Sequence, residues 1–423
     1  MMIRQLLKLI WNQRRQNSWI AFELLLVFVA LWAIADLFVV QTTLYLRPLG
    51  YQVENCWRLS FDNYTQEATE YESDTLLHKT QGEALTAILD RLRRCDEVED
   101  ACVAFFSSPY SSGNTWRSLL PCTADSARFK EQSYHCYYVT PEYFNVFGIR
   151  GQGGEALDEL SRKHPSDIFV TPELAVDFFG SINAAAGQKV VMSSGGTEVH
   201  IAAITTPIRE DDFSRSTAMF YQVMDAAEVE QRSGLFGAAM MEASLRMKTA
   251  MTQEQMDAFL IGLGDRLRDG NLYVNGAESW LDKRDSLLAH TWHTLHISLL
   301  LVLFILLNVF FGVISVFWLR IEQRRSEIGL RMAMGSTRSK VGFFFTAEGW
   351  LLLVTILPLS LIVIANFFVM EIPETYHIPF TWWRLLIGLG LALFVLLSII
   401  SLGTWFPASR AMKVQPAEVL RDE

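Results

Sequence analysis

Apolar positions along the chain gather into four long runs near its two ends, with a mixed pattern between them. The runs cover residues 19–40, 295–319, 341–370 and 381–406. A helix that crosses a bilayer needs roughly 20 mostly apolar residues, so each run predicts one span. The third run has 30 residues, or about 45 Å at the helical rise. That exceeds the hydrocarbon core, so tilt, a kink at Pro358 or protrusion is expected. Ahead of the first run, residues 1–18 predict an amphipathic helix. Ile3, Leu6, Leu7 and Ile10 share one face, and Arg4, Lys8, Arg14 and Arg15 lie elsewhere. Ala33-Ile34-Ala35 looks like a signal-peptidase site. The apolar run continues past it to Val40, and Glu23 would sit inside the h-region, so a retained anchor is expected.

Residues 41–290 contain no such run. Their pattern predicts a strand at 52–61, a helix at 83–94 with Ala84, Ile88 and Leu92 on one face, and a strand at 98–106. The same order returns late in the segment. A strand at 243–249 precedes a helix at 252–267 that opens with Thr252-x-x-Gln255, a capping-box pattern, and a strand follows at 271–276. Two β-α-β units are expected to pair into one ferredoxin-like α+β sheet. Residues 110–233 would be an inserted, mainly β lobe. Its signs are 168–170 as a strand, Gly180 as a helix cap after 174–179, and a hairpin at Gly195-Gly196. The fold class is therefore an α-helical membrane protein with four transmembrane helices per subunit and a large α+β extracytoplasmic domain.

Composition excludes several classes. The chain has 423 residues, 51% hydrophobic and 19% charged, with mean hydropathy +0.20. A disordered chain would be more polar, and a disulfide-stapled scaffold shorter. Charge sets orientation, because Lys and Arg collect on the cytoplasmic side of spans. Arg4, Lys8, Arg14 and Arg15 precede the first span. Arg320, Arg324, Arg325, Arg331, Arg338 and Lys340 lie between the second and third, and Arg410, Lys413 and Arg421 follow the fourth. The segment 371–380 has two acids and neither Lys nor Arg. Both termini (1–18 and 407–423) and the loop 320–340 are expected inside, and the 371–380 loop and the 41–290 domain outside. That domain holds 22 Lys and Arg against 36 Asp and Glu, a net charge of −14. Cys56, Cys95, Cys102, Cys122 and Cys136 all fall within it, where disulfides are permitted. Their spacing leaves pairing and buried free thiols equally open.

Motifs for catalysis are missing. There is no GxxxxGK[ST], HExxH or GxSxG. His290, His293 and His296 recur every third residue, and ordinary interfacial polar positions explain them better than a metal face. Asp211-Asp212 reads as a solvated loop. No enzyme activity, cofactor, metal or nucleic acid is expected. Glu23, Asn308 and Glu348 lie inside apolar runs, where a polar group facing lipid is costly. They are expected to face the helix bundle or to snorkel.

The loop at 320–340 carries the most information. Residues 327–335 read EIGLRMAMG, helical up to a glycine cap, with apolar groups on more than one face. Unmatched apolar surface there predicts either docking to a partner or contact with lipid. The run Glu322-x-Arg324-x-x-Glu327-Ile328-Gly329-Leu330-Arg331-x-Ala333-x-Gly335 resembles the signature loop of MacB/FtsX-type ABC transporter permeases, the type VII class. Glu348 early in the third span is similar too, as are Pro407-Ala408-x-Arg410-Ala411 and Pro416-Ala417-Glu418-x-Leu420-Arg421. Thr140-Pro141-Glu142-Tyr143-Phe144-x-Val146-Phe147 and Phe178-Phe179-Gly180 resemble the outer domain of the MacB branch. The macrolide exporter of that branch carries a fused ATPase before its first span; this chain has an 18-residue lead and resembles a stand-alone permease.

The resemblance implies a permease in the bacterial inner membrane, a homodimer or a heterodimer with a related permease. It implies a separate ABC ATPase and, in some members, a membrane-fusion or adaptor protein. It implies mechanotransmission: ATP hydrolysis by the partner changes the shape of the periplasmic domain, which exports or extrudes a client. An alternative within the same resemblance is an FtsX-like signalling protein that activates a cell-wall hydrolase without transport. The expected ATPase-coupling residues are Glu327, Ile328, Gly329, Arg331 and Met334.

Overall fold

The computed structural model describes residues 14–73, 79–111, 113–122, 132–192, 196–324, 330, 332 and 334–411. Most of the expected N-terminal amphipathic helix (1–13) and the second tail motif (416–421) lie outside the described residues. The chain divides into two compact units, Arg47–His290 and Met1–Leu46 with Thr291–Glu423.

The outer unit begins with β1 (Cys56–Asn63), α-helix Gln81–Arg93 and β2 (Val98–Phe105). The helix starts where it does because Thr80 and Glu83 form a capping box, each side chain accepting from the other residue's backbone N–H. It stays on the sheet because Ala84, Leu85, Ile88, Leu89 and Leu92 are buried. The late unit repeats the plan with β9 (Glu242–Met247), α-helix Gln253–Leu263 and β11 (Leu272–Ser279), plus the short edge strand β10 (Arg268–Asp269). The capping box read at Thr252 and Gln255 is formed. The strands lie in the order β11-β1-β9-β2, all antiparallel. That is the ferredoxin-like arrangement of two interleaved β-α-β units.

Everything between β2 and β9 is the inserted lobe. Its strands are β3 (Trp116–Pro121), β4 (Gln132–Val139), β5 (Ile168–Val170), β6 (Lys189–Met192), β7 (Thr197–Ile204) and β8 (Met219–Val223). They run β4-β3-β6-β7-β5-β8, and β8 returns to β4 through a parallel pairing. Among the described residues the lobe is thus a closed six-stranded barrel, and closure pairs the edges an open sheet would leave exposed. Alternation sorts its side chains. Tyr134, Cys136 and Tyr138 of β4 join Ile168, Val190, Ile201 and Phe220 in the inner core. Val139, Phe169, Met219 and Tyr221 point the other way. They pack with Tyr143, Phe144, Val146 and Phe147 of the Thr-Pro-Glu-Tyr-Phe motif and with Trp280. β2 and β4 join the sheet to the barrel by pairing Ala104 with Val139 and Phe105 with Tyr138. Gly180 ends its helix in the left-handed region (φ 70°), as the pattern predicts. Of the predicted hairpin, Gly196 is a positive-φ turn residue between β6 and β7, while 193–195 lie outside the described residues. All five cysteines are free thiols, three of them buried; burial pushes the Cys56 and Cys136 thiols up to about 12.

Among the described residues four helices are long and apolar enough to cross a bilayer: Ser18–Tyr45, Trp280–Val316, Ser339–Val369 and Trp382–Trp405. We number the parent helices α1 (Arg14–Tyr45), α2 (Trp280–Gln323), α3 (Arg338–Val369) and α4 (Trp382–Ala411). α2 opens well before Leu295, because Trp280 and the polar residues after it continue the helix directly out of β11. α3 runs through Pro358 without ending. Phe28 and Trp32 of α1 pack with Leu352 and Leu353 of α3 and Leu396 and Ile400 of α4. α2 is the least covered of the four, with Leu300, Phe304 and Phe311 exposed.

Candidate functional site

Of the five expected coupling residues, Glu327, Ile328, Gly329 and Arg331 lie outside the described residues. Met334 is described. It stands at the end of the loop with 72% of its surface exposed, beside exposed Leu330. Its N–H donates to Leu330 O at 3.0 Å, and Gly335 follows at φ 93°, the left-handed conformation of a glycine cap. Thr337 then caps α3 by accepting from Lys340 N. Met334 is thus a large, unburied apolar side chain held at the corner that leads into α3.

The polar groups inside the spans separate into three cases. Glu348 is fully buried, and Arg324 Nη1 donates to its Oε2 at 3.1 Å, so the acid faces a partner beyond the end of α2. Glu23 faces a crevice lined by Ile20, Leu24, Gly312, Val313 and Leu352. A Cβ at Gly312 would come within 2.9 Å of its Oε1, so the glycine makes the room. Asn308 lies on the exposed side of α2 and turns its amide back to Phe304 O of its own helix at 2.8 Å.

A fourth case escapes a reading of the sequence alone. Asp36 of α1 and Arg384 of α4 form a bidentate pair, Nε to Oδ1 at 2.7 Å and Nη2 to Oδ2 at 2.6 Å, with both side chains at least 95% buried. Arg384 Nη1 also donates to Ile378 O at 2.6 Å. The signal is present in the sequence: one acid and one base, each in a different apolar run, are best read as a pair.

In the outer unit the structure overturns the reading of Asp211-Asp212 as a solvated loop. Asp212 is 3% exposed and Arg209 4%. Arg284, near the start of α2, grips the Asp212 carboxylate with Nε (3.0 Å) and Nη2, and Tyr110 Oη donates to it at 2.8 Å. Arg209 donates to the carbonyls of Arg47 (2.6 Å), Ser214 (2.9 Å) and Asp212. Adjacent acids suggest water, but one of the two neutralises an arginine 72 residues downstream, which no local pattern shows. Asp211 does behave locally: its Oδ1 accepts from Phe213 N and Ser214 N, both at 2.7 Å.

Burial alone would push the Asp212 carboxyl up, but the bonds from Arg284 and Tyr110 outweigh it and hold it below the usual range. A depressed carboxylate contributes stability that is present above its unfolded pKa of about 3.9 and is lost as pH falls through the folded value. The outer domain should therefore lose stability on acidification below about pH 4. Asp212→Asn should be less stable at neutral pH yet show a flatter acid limb, read as melting temperature against pH. An acid limb as steep in Asp212→Asn as in the wild type would show that other groups cause it.

Among the described residues no group of three His, Cys, Asp or Glu is placed to hold a metal ion. His290, His293 and His296 lie exposed along α2.

Residues 299–416 match the family of the FtsX-like permease C-terminal domain, and the resemblance read from the loop is borne out over that segment. No curated protein matches. Among solved structures, the chain is similar to a domain of a permease protein from Porphyromonas gingivalis (12% identity, 55% of this chain and 92% of that one, TM-score 0.36). It is similar to the periplasmic region of MacB from Actinobacillus actinomycetemcomitans (10% identity, 55% and 93%, TM-score 0.32). It is also similar to the extracellular domain of the noncanonic ABC-type transporter YknZ from Gram-positive bacteria (13% identity, 51% and 98%, TM-score 0.29).

Proposed function

We propose that this chain is the membrane-spanning subunit of an ABC-type transporter of the type VII class, working by mechanotransmission. A separate ATPase hydrolyses ATP and docks on the loop 320–340. Its motion passes through the membrane helices and changes the shape of the 41–290 domain on the far side of the inner membrane, which drives a client outward. The observation that carries this reading is the FtsX-like permease match over residues 299–416, which contains the whole of the EIGLRMAMG loop. Met334 supports it, because an exposed apolar side chain at a fixed corner suits a partner groove. The subunit works as a dimer, with exposed α2 as the natural place for a second copy. Asn308 on that side would then find an interhelical partner in place of lipid.

Energy must enter through contact in this scheme, so the loop is where to test it. Truncating a central interface anchor costs about 2 kcal/mol or more, roughly thirtyfold in affinity. Met334→Asp should do at least that, since it also puts an unpaired charge into a desolvated contact. The measurement is co-purification of the ATPase with the detergent-solubilised permease, with dimer formation checked in parallel. Retention of the ATPase at wild-type stoichiometry and activity by both Met334→Asp and Ile328→Asp would favour a lipid-facing loop and sink the coupling role.

A further inference from the structure

The loop that leaves β7 and crosses to β8, residues 205–216, touches several parts of the outer domain at once. Thr205 and Thr206 N–H groups donate to Val170 O (2.9 Å) and Arg150 O (3.0 Å), which seats the loop on the barrel. Its middle then meets the chain that follows α1. Arg209 N donates to Leu49 O at 3.0 Å, Arg209 Nη1 to Arg47 O at 2.6 Å, and Tyr51 Oη to Glu210 O at 3.1 Å. Gly50 lies against Pro207 so closely that a Cβ would stand 2.2 Å from the Pro207 carbonyl oxygen. Three residues past Arg209, Asp212 holds Arg284 in the first turns of α2. Within one short loop, one buried side chain is bonded to the segment by which the chain arrives from the first span. Another is bonded to the helix by which it leaves for the second.

We infer that residues 205–216 are a strap that yokes these two connections, with Arg209 and Asp212 as its pins, so that neither can shift without the other. The arrangement has the chemistry of a tie and lacks that of a ligand site. Both pins are buried against partners. On the Arg47 side those partners are backbone carbonyls, which fix position independently of side-chain identity. The strap also reaches the barrel face, because His135 Nδ1 of β4 lies 2.9 Å from Glu210 Oε1. A displacement of the α2 base would then be felt at the Arg47–Tyr51 segment and at the barrel together. The inference rests on the proposed mechanism only for its use; the tie itself is a property of the outer domain.

Hydrogen exchange of the full-length protein in detergent micelles tests it without ATPase, nucleotide or client. The variants are Arg209→Gln and Asp212→Asn, with Arg284→Gln if Asp212→Asn does not fold. If the loop is a yoke, releasing the Asp212 pin accelerates exchange by about tenfold or more, both within 205–216 and across 47–53. Releasing the Arg209 pin accelerates the same two segments. In both variants β9 and β11 keep wild-type protection. Two outcomes overturn the inference. One is wild-type exchange at 47–53 when the Asp212–Arg284 bond is broken. The other is acceleration spread evenly into β9 and β11, which would make Asp212 an ordinary support of the whole domain. Either result is independent of whether Met334→Asp releases the ATPase, so the strap and the coupling reading stand or fall separately.

Discussion

Asp36→Ala should destabilise the membrane unit by about 3–5 kcal/mol, the loss typical when one partner of a buried ion pair is removed. The reason is Arg384. Its guanidinium is at least 95% buried, and of these contacts it keeps the carbonyl of Ile378 once the carboxylate is gone. An arginine so placed cannot reach water without moving the start of α4. Removing both charges should behave differently. Asp36→Leu with Arg384→Met fills similar volume with apolar groups, and such replacements are neutral or stabilising by roughly 1–4 kcal/mol in buried sites. The pair of experiments separates a structural tie from a simple stability element. Both are read as thermal unfolding of the detergent-solubilised chain. An Asp36→Ala variant that melts with the wild type would mean that water or lipid headgroups reach Arg384, and the pair would not be a membrane-buried one.

Gly50→Ala should cost the outer domain about 3 kcal/mol, the sum of two physical causes. Gly50 has φ 87°, where a side chain carries roughly 1–2 kcal/mol of strain. Its Cβ would also overlap the Pro207 carbonyl. That is a backbone atom that cannot swing aside, and overpacking of that kind costs about 1–3 kcal/mol. Gly154 provides the control. It has the same φ of 87° with nothing within 4 Å of where a Cβ would stand, so Gly154→Ala isolates the conformational part. For a domain of this size each kcal/mol lowers Tm by about 2–4 °C. The Gly50→Ala shift should therefore be about twice that of Gly154→Ala. Equal shifts would show that the strap gives way freely at Pro207.

Much of the architecture is legible because it is written in local periodicity. Ala84, Ile88 and Leu92 announce a helix face, and Thr252 with Gln255 announces a helix start. The repeated strand–helix–strand order announces the ferredoxin-like sheet. Closure of the barrel is not legible, because it depends on the parallel pairing of β4 with β8, whose partners His135 and Met219 are far apart in the chain. Which polar group ties to which is less legible for the same reason. Asp36 and Arg384 are separated by 348 positions, and Asp212 and Arg284 by 72. Each alone looks like an isolated charge, and only the fold supplies its partner. Glu23 and Glu348 are recognisable as acids in apolar runs, as Asp36 is, but only the fold shows that Glu348 pairs with Arg324 and Asp36 with Arg384.

The insertion of the barrel between β2 and β9 also governs the order of events during synthesis. Among the described residues β1 has no strand partner close by in sequence. Its residues pair with β9 and β11, so Cys56 waits for Arg246 and Trp57 for Ser279. Contacts of such long sequence separation slow folding, because the loop must close before any bond rewards it. The barrel closes over a shorter stretch, since its strands run from Trp116 to Val223 and its closing pair, β4 with β8, needs nothing beyond them. It should be complete while β1 is still a single unpaired strand, whose apolar surface is covered only when the later strands arrive. The chain segment that supplies the last of them continues without a break into α2. Closing the sheet and committing the second long helix are thus consecutive steps of one emerging polypeptide, and a nascent chain stalled before residue 272 would carry a finished barrel on an unfinished base.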